Sequence, residues 1–461
     1  MYDFLVAVVA FVVLVGLMVV VHEFGHFAVA KLCGVRVEAF SFGFGPRLFG
    51  FKYGDTDYKV CLLPLGGFVK MTGEAPEQNL DVSGAPLADI SDDPGAFTNH
   101  PRWQRMLIGV AGPLSNFALA FVLMVFYYGW INETPRHEIS TTTVEWVNDG
   151  SPAAQAGFQP GDIIRHFETV DNPTWDDVEQ RAALNQGQTV PVTVDRDGAI
   201  VHLSFNLPPA VRGEDFDVSD TGVIPEFVLG PIGVQHVEPG TPAALAGLRD
   251  GDALQSVDGH TFHTVQALLA YLQSGKGKPV SLVVVRKGVA LPTIVAYPSD
   301  KVDAGGWKLG FTPVPIPFKS DPLPLDKAAV KSKQFCVDNS SLIVEVIGRI
   351  FTRKVAVSQL SGPVGIARMA GMAAQMNEWQ PKFALASAIS LNLGILNLLP
   401  FPILDGGMIF LLLIESVLRR DISINVKERI YQAAFVMIVA FFAFIIFNDV
   451  TKLPVFTHLK P

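Results

Sequence analysis

Residues 4–32 read FLVAVVAFVVLVGLMVVVHEFGHFAVAKL, and the class of the protein follows from this stretch. From Phe4 to Val21 it is an almost unbroken run of Leu, Val, Ala and Phe, and helix-compatible residues continue to Leu32, long enough to cross a ~30 Å hydrocarbon core. A secretory leader is the rival reading, because Ala28-Val29-Ala30 has the small residues of a cleavage site. Against it, Asp3 is the sole charge ahead of the run, and the run exceeds the ~7 to 15 apolar residues of a leader. We therefore expect a retained transmembrane helix over 1–34. Within it stands His22-Glu23-Phe24-Gly25-His26. Positions four apart share a helix face, so both imidazoles can bind one zinc ion at ~2.0 to 2.1 Å, leaving Glu23 to take the proton of an attacking water. Ionisable residues in a lipid-crossing helix are costly unless they face a protein interior and have partners, so these three point to function.

The composition agrees with a membrane protein. Hydrophobic residues make up 49% of the 461, more than soluble cores need. The net charge of −9 offers no basic field for phosphate backbones, which excludes nucleic acid as an expected partner. Cys33, Cys61 and Cys336 have neither metal-type spacing nor the number a disulfide framework needs.

Further spans are expected at 104–131 and 430–449, with a broken one at 383–415 interrupted by Pro400, Pro402 and Gly406-Gly407. Lys31, Arg36, Arg102 and Arg105 flank the first loop, 35–103, and Arg419, Arg420, Lys427 and Arg429 fill the loop before the last span. The positive-inside rule makes both loops cytoplasmic and puts both termini and the stretch from about 131 to 380 on the other side. In the first loop Phe40, Phe42 and Phe44 alternate and Tyr58 to Leu63 reads as β, so a hairpin against the cytoplasmic side of the bilayer is expected.

Two histidines leave a catalytic zinc site one ligand short. Glu38 and Asp55 are nearest in sequence, but Asp405 is the one carboxylate within the apolar run 383–414 and is the expected third ligand. Asn392 and Asn397 in the same run are candidates to hydrogen-bond the substrate backbone, or else to stitch spans together.

Between the second and third spans the chain repeats itself. Ser151-Pro152-Ala153-Ala154-Gln155-Ala156-Gly157-Phe158-Gln159-Pro160-Gly161-Asp162 is answered without a gap by Thr241-Pro242-Ala243-Ala244-Leu245-Ala246-Gly247-Leu248-Arg249-Asp250-Gly251-Asp252. A period of ninety residues suits two copies of one small domain, 137–221 and 222–310. Each copy resembles the PDZ domain, which implies an α+β fold with a groove that takes peptides by strand addition. From 326 to 380 a helical pattern returns, with Leu342, Ile343, Val346, Ile347 and Ile350 on one stripe, as in helices at a membrane surface.

His22-Glu23-x-x-His26 in the first span, Asn397-x-x-Pro400-x-Pro402-x-x-Asp405-Gly406 in the broken one, Gly112-Pro113-x-x-Asn116-Phe117 in the second and the tandem repeat together resemble the bacterial site-2 protease family over nearly the whole chain. The family often has histidine after Asp-Gly-Gly, where Met408 stands here; that residue is not a ligand in the family pattern. The resemblance implies a polytopic α-helical membrane protein of four spans with two inserted extracytoplasmic PDZ-like domains. It implies a monomeric zinc metalloendopeptidase of the bacterial inner membrane. Its substrates would be single-span proteins already cut outside the cytoplasm, notably an anti-sigma factor in the envelope stress response, and leftover signal peptides, with the PDZ pair as a filter. A non-catalytic scaffold displaying two PDZ domains is the alternative, and the intact Glu23 argues against it. A metal transporter would need more polar residues along the spans.

Overall fold

The computed structural model describes residues 2–74, 93–135, 141–210, 216–227, 230–300, 306–314, 318–352 and 362–451. The chain divides into two compact units, one formed by Met1–Glu133 with Ser320–Pro461, the other by Thr134–Lys319.

In the first unit α1 (Tyr2–Cys33) leads into the long strands β1 (Val37–Tyr53) and β2 (Thr56–Met71), followed by α2 (Arg102–Phe126). After the insertion come α3 (Leu325–Phe351), α4 (Pro363–Gln375), α5 (Gln380–Asn397), α6 (Asp405–Leu418) and α7 (Ile424–Thr451). Among the described residues three stretches are long and apolar enough to cross a membrane, Leu5–Cys33, Arg102–Ile131 and Asn425–Phe447. Their apolar side chains point outward, as those of Val13, Leu17, Val122 and Phe435 do, the surface a hydrocarbon solvent favours. The stretch expected as a broken third span folds as α5 and α6. Pro400 and Pro402 end the helical ladder between them, and tight turns take up the backbone groups: Phe401 N–H donates to Leu399 O and Leu404 N–H to Phe401 O. α6 ends at Leu418, three residues past the expected 415, and carries a second carboxylate, Glu415, fully buried and paired with Lys427 Nζ at 2.6 Å.

α1 packs on α2 and α4, and α2 also contacts α3, α5 and α6. Close approach of α1 and α2 depends on small residues, since a Cβ on Gly25 would stand 2.3 Å from the Ala111 carbonyl oxygen. Ser115 Oγ donates to Val21 O at 2.8 Å across the same seam.

β1 and β2 form the expected hairpin, and each also bends back on the other. Phe40 pairs with Val69 on one side and Tyr58 on the other, while Phe51 also pairs with Tyr58. The result is a sheet with segments ordered 67–71, 37–42, 57–61 and 47–53, the first and last being edges. The bend in β1 falls at Gly43, whose φ of 87° an L side chain rarely adopts. Beyond it Leu48, Phe49, Phe51, Leu62 and Leu63 are exposed, an apolar tip suited to a bilayer. α3 covers the first part of the expected helical stretch, and residues 353–361 lie outside the described residues.

The second unit holds two copies of one fold, each with its own core. The repeated motif is a short capped helix. Ser151 and Thr241 accept the N–H groups of Ala154 and Ala244, proline follows at the first helical position, and Gly157 and Gly247 end the helices at φ 93° and 88°. The last residue of each motif is a fully buried aspartate held by an arginine. Arg196 grips Asp162 through Nε and Nη2 at 2.7 and 2.8 Å, and Arg286 grips Asp252 at 2.6 and 2.8 Å. The ninety-residue offset thus extends to arginines the motif did not include. The first copy also reaches past the boundary at 221, because Val223–Pro225 pairs with Val144–Val147 in a two-stranded sheet beside its four-stranded one. Likewise Phe311–Pro313 pairs with Ile232–Val237 in the second. The copies are joined through Glu145, which accepts the backbone N–H groups of His263 and Thr264 and the Thr264 hydroxyl.

Candidate active site

The four-residue spacing on α1 sets the His22 and His26 rings edge to face, with centroids 4.8 Å apart and Nε2 atoms 3.2 Å apart. Both are buried, at 6% and 7% exposure. Asp405, in the first turn of α6, places Oδ2 3.1 Å from His22 Nε2 and 3.5 Å from His26 Nε2. These three atoms form the one cluster of its kind among the described residues. Glu38 is instead engaged with Lys70 and Thr72 on the sheet.

The donor set fits zinc. A tetrahedral ion with bonds of ~2.0 to 2.1 Å has ligand atoms about 3.3 Å apart, and the three separations here bracket that value. Two neutral imidazoles and one carboxylate are a donor set typical of catalytic zinc, and Asp405 Oδ2, itself buried, faces the two imidazole edges. The outer nitrogens of both rings point at α2. His26 Nδ1 donates to Ile108 O at 2.8 Å, which leaves its Nε2 free to ligate, and His22 Nδ1 meets the Asn116 amide at 3.1 Å. Gly112 makes room for this, because a Cβ there would lie 2.1 Å from His26 Nε2.

Glu23 faces the sheet. Its Oε2 accepts the N–H of Val69, on the edge segment of β2, at 3.0 Å. His22, Glu23, His26, Val69 and Asp405 line a cavity of about 480 Å³, together with Arg105, Glu415 and Lys427.

The two candidate asparagines separate. Asn397, at the end of α5, brings its amide within 3.2 Å of His22 Nε2. Asn392 lies five positions earlier, turned by about 140° around the helix, and no hydrogen bond joins it to the site among the described residues. The sequence reading noted Asn116 in its motif without a role. It missed the Val69 N–H and the Ile108 carbonyl, which carry no side-chain signal. Glu415 was detectable as a buried-type carboxylate one residue past the apolar run.

Comparison with known proteins converges on the same chemistry. The regulator of sigma-E protease RseP of Salmonella typhimurium is 32% identical over 96% of this chain and 98% of its own length, and that of Escherichia coli K12 is 32% identical over 98% and 100%. A putative zinc metalloprotease of Ralstonia nicotianae is 30% identical over 97% and 99%. Among solved structures, a PDZ domain of the SdrC-like protein of Listeria monocytogenes matches 19% of this chain and 93% of its own at 24% identity and a TM-score of 0.18. Residues 10–441, which include His22, Glu23, His26 and Asp405, match Peptidase family M50, and the chain belongs to that family, the site-2 metalloproteases.

Proposed function

We propose that this chain hydrolyses peptide bonds inside the membrane-spanning segments of single-span proteins that have already been cut outside the cytoplasm. The observation that carries the proposal is the meeting of His22, His26 and Asp405 beside Glu23 on a helix apolar enough to span a bilayer. Zinc, when bound by the three ligands, supplies Lewis acidity that brings a water into nucleophilic range at neutral pH and polarises the scissile carbonyl. Glu23 takes the proton of the attacking water and returns it to the leaving nitrogen. The Val69 N–H holds its carboxylate in place.

A helical substrate hides its carbonyls in intrahelical bonds, so it must unwind before attack. Segment 67–71, a sheet edge beside Glu23, is suited to hold the unwound strand by main-chain pairing through groups other than the Val69 N–H, which Glu23 engages. We assign Asn397, whose amide lies 3.2 Å from His22 Nε2, to bond the substrate backbone. Relatives named regulator of sigma-E protease support a role in controlling a sigma factor, and we assign an anti-sigma factor and remnant signal peptides as substrates. We assign the chain to a bacterial inner membrane as a monomer, with both termini and the paired PDZ-like domains on the periplasmic side, where the domains filter substrates.

Glu23→Gln tests the reaction. The variant keeps stoichiometric zinc and loses about 10²- to 10⁴-fold in cleavage of a single-span substrate, because a proton carrier is removed and no ligand is. Turnover equal to that of the unaltered protein would falsify the assignment.

A further inference from the structure

We propose that Asn116 positions His22, with its side-chain oxygen accepting the Nδ1 proton and so presenting Nε2 to the metal as a lone pair. This rests on the zinc reading above and goes beyond it, since it gives a role to a residue outside the ligand set.

Four observations converge on it. Asn116 is fully buried, with its amide 3.1 Å from His22 Nδ1. As oriented, its NH₂ faces the ring and its Oδ1 is buried without a partner. Exchanging the two ends of the amide puts the orphaned oxygen on Nδ1, where only an acceptor is compatible with a metal on Nε2. The other face of the ring is already committed, because Nε2 points at His26, Asp405 and Asn397 at 3.1 to 3.2 Å.

The sister ligand has the same arrangement. His26 Nδ1 donates to the Ile108 carbonyl on α2 at 2.8 Å. Residues 108 and 116 are thus matched in antiparallel sense with 26 and 22, so α2 orients both rings, once through backbone and once through the Asn116 side chain. The Asn116 backbone is fixed in turn, since Ser390 Oγ of α5 donates to Asn116 O at 2.9 Å. A residue that merely filled space would need neither a polar end toward the ring nor this anchoring.

The test is zinc affinity of the full-length protein in detergent, measured by competition with a chelator, with melting temperature as the check on folding. Asn116→Ala is expected to weaken zinc binding about 10- to 100-fold, the usual cost of losing such a partner. Asn116→Asp is expected to stay within about threefold of the unaltered protein, because a carboxylate accepts the same proton. Unweakened binding by Asn116→Ala overturns the proposal, and so does an equal loss in the aspartate and alanine variants. Should the alanine variant not fold, ¹⁵N spectra of the unaltered, zinc-loaded protein decide: a protonated His22 Nδ1 slow to exchange with solvent supports the proposal, and a bare or freely exchanging Nδ1 overturns it. His22→Phe separates this from failure of the zinc reading, for if that variant binds zinc normally the site itself is elsewhere.

Discussion

Asp405 Oδ2 lies 3.1 Å from His22 Nε2, although α1 and α6 stand near opposite ends of the chain. The contact exists because Pro400 and Pro402 stop α5 and let α6 begin at Asp405, so a carboxylate emerges at a helix start within reach of α1. Asp405→Asn removes the charge and keeps the shape. Its zinc affinity should fall by more than the ~10- to 100-fold that loss of an outer partner costs, and cleavage should fall with it. Metal analysis after dialysis checks this; full occupancy with normal cleavage would mean that the third ligand lies elsewhere.

Gly112→Ala gives a second outcome that helix propensity alone would misjudge. Alanine is favoured over glycine by about 1 kcal/mol in a helix interior. Here the new methyl would sit 2.1 Å from His26 Nε2, so the ring must leave its place. We expect zinc and activity to be lost while the protein stays folded. Gly109→Ala is the control, because its Cβ meets side chains away from the ligands, the flexible end of Met408 at 2.7 Å and Ile409 Cγ1 at 3.1 Å. If both variants bind zinc alike, the steric account of the motif is wrong.

How much of this was readable depends on whether the signal is local. His22, Glu23 and His26 announce themselves by spacing on one helix, and Asp405 by being charged in an apolar run. Asn116 could be noted but not interpreted, because its role depends on the register between α1 and α2, which no single segment encodes. The doubled sheet was hidden for a similar reason: alternation in Phe40, Phe42 and Phe44 reports a strand, not that the strand pairs on both sides. Arg196 and Arg286 stand thirty-four residues beyond their aspartates in a different strand, and only the structure joins them.

Those arginines support a third expectation. Asp162 is fully buried and its charge is met by Arg196 through two bonds. Arg196→Met leaves that carboxylate uncompensated and should cost about 3 to 5 kcal/mol in the first repeat. Arg286→Met should do the same to the second through Asp252. Because replacing a buried pair by apolar residues is often neutral, Asp162→Leu with Arg196→Met should recover much of the loss. Chemical denaturation of the three variants measures it, and no recovery in the double variant would point to a role beyond charge compensation.

Glu179 gives the first repeat a pH dependence. Burial pushes its carboxyl up to about 6, reinforced by Asp217, Asp220 and Asp176 and opposed by the Val218 N–H that it accepts. A carboxyl whose folded value is raised stabilises the fold fully below its ordinary value of 4.5, and the contribution is lost as pH rises through about 6. The side chain is only partly buried, so the effect should stay below about 1 kcal/mol. Glu179→Gln keeps an acceptor for Val218 and removes the charge, so it should stabilise at pH 7 and not at pH 4. Melting curves at the two pH values check the sign, and a variant that gains equally at both would refute the titration.

The last expectation concerns the inserted unit, and it begins where the chain leaves and rejoins the helical one. Asn132 Nδ2 donates to Asp321 O at 2.7 Å, Asp321 N–H to Asn132 O at 3.1 Å, and Leu323 N–H to Tyr128 O at 2.8 Å. The outgoing and returning strands are thus bonded side by side, so Thr134–Lys319 can be replaced by a short linker without disturbing α2 or α3. A deletion at these limits removes the sheets of both repeats whole, whereas one ending at 310 would leave behind Phe311–Pro313, the partner of Ile232–Val237. If the two domains exclude substrates by size, the shortened protein should cut a single-span substrate that still carries its folded extracytoplasmic part, which the full chain refuses. If their grooves instead capture the new end of a trimmed substrate, the shortened protein should cut trimmed substrate more slowly. Zinc content should be unchanged in either case, because every ligand lies in the remaining unit. Cleavage of matched trimmed and untrimmed substrates in reconstituted vesicles distinguishes the two, and unchanged rate with unchanged selectivity would remove both roles from the inserted unit.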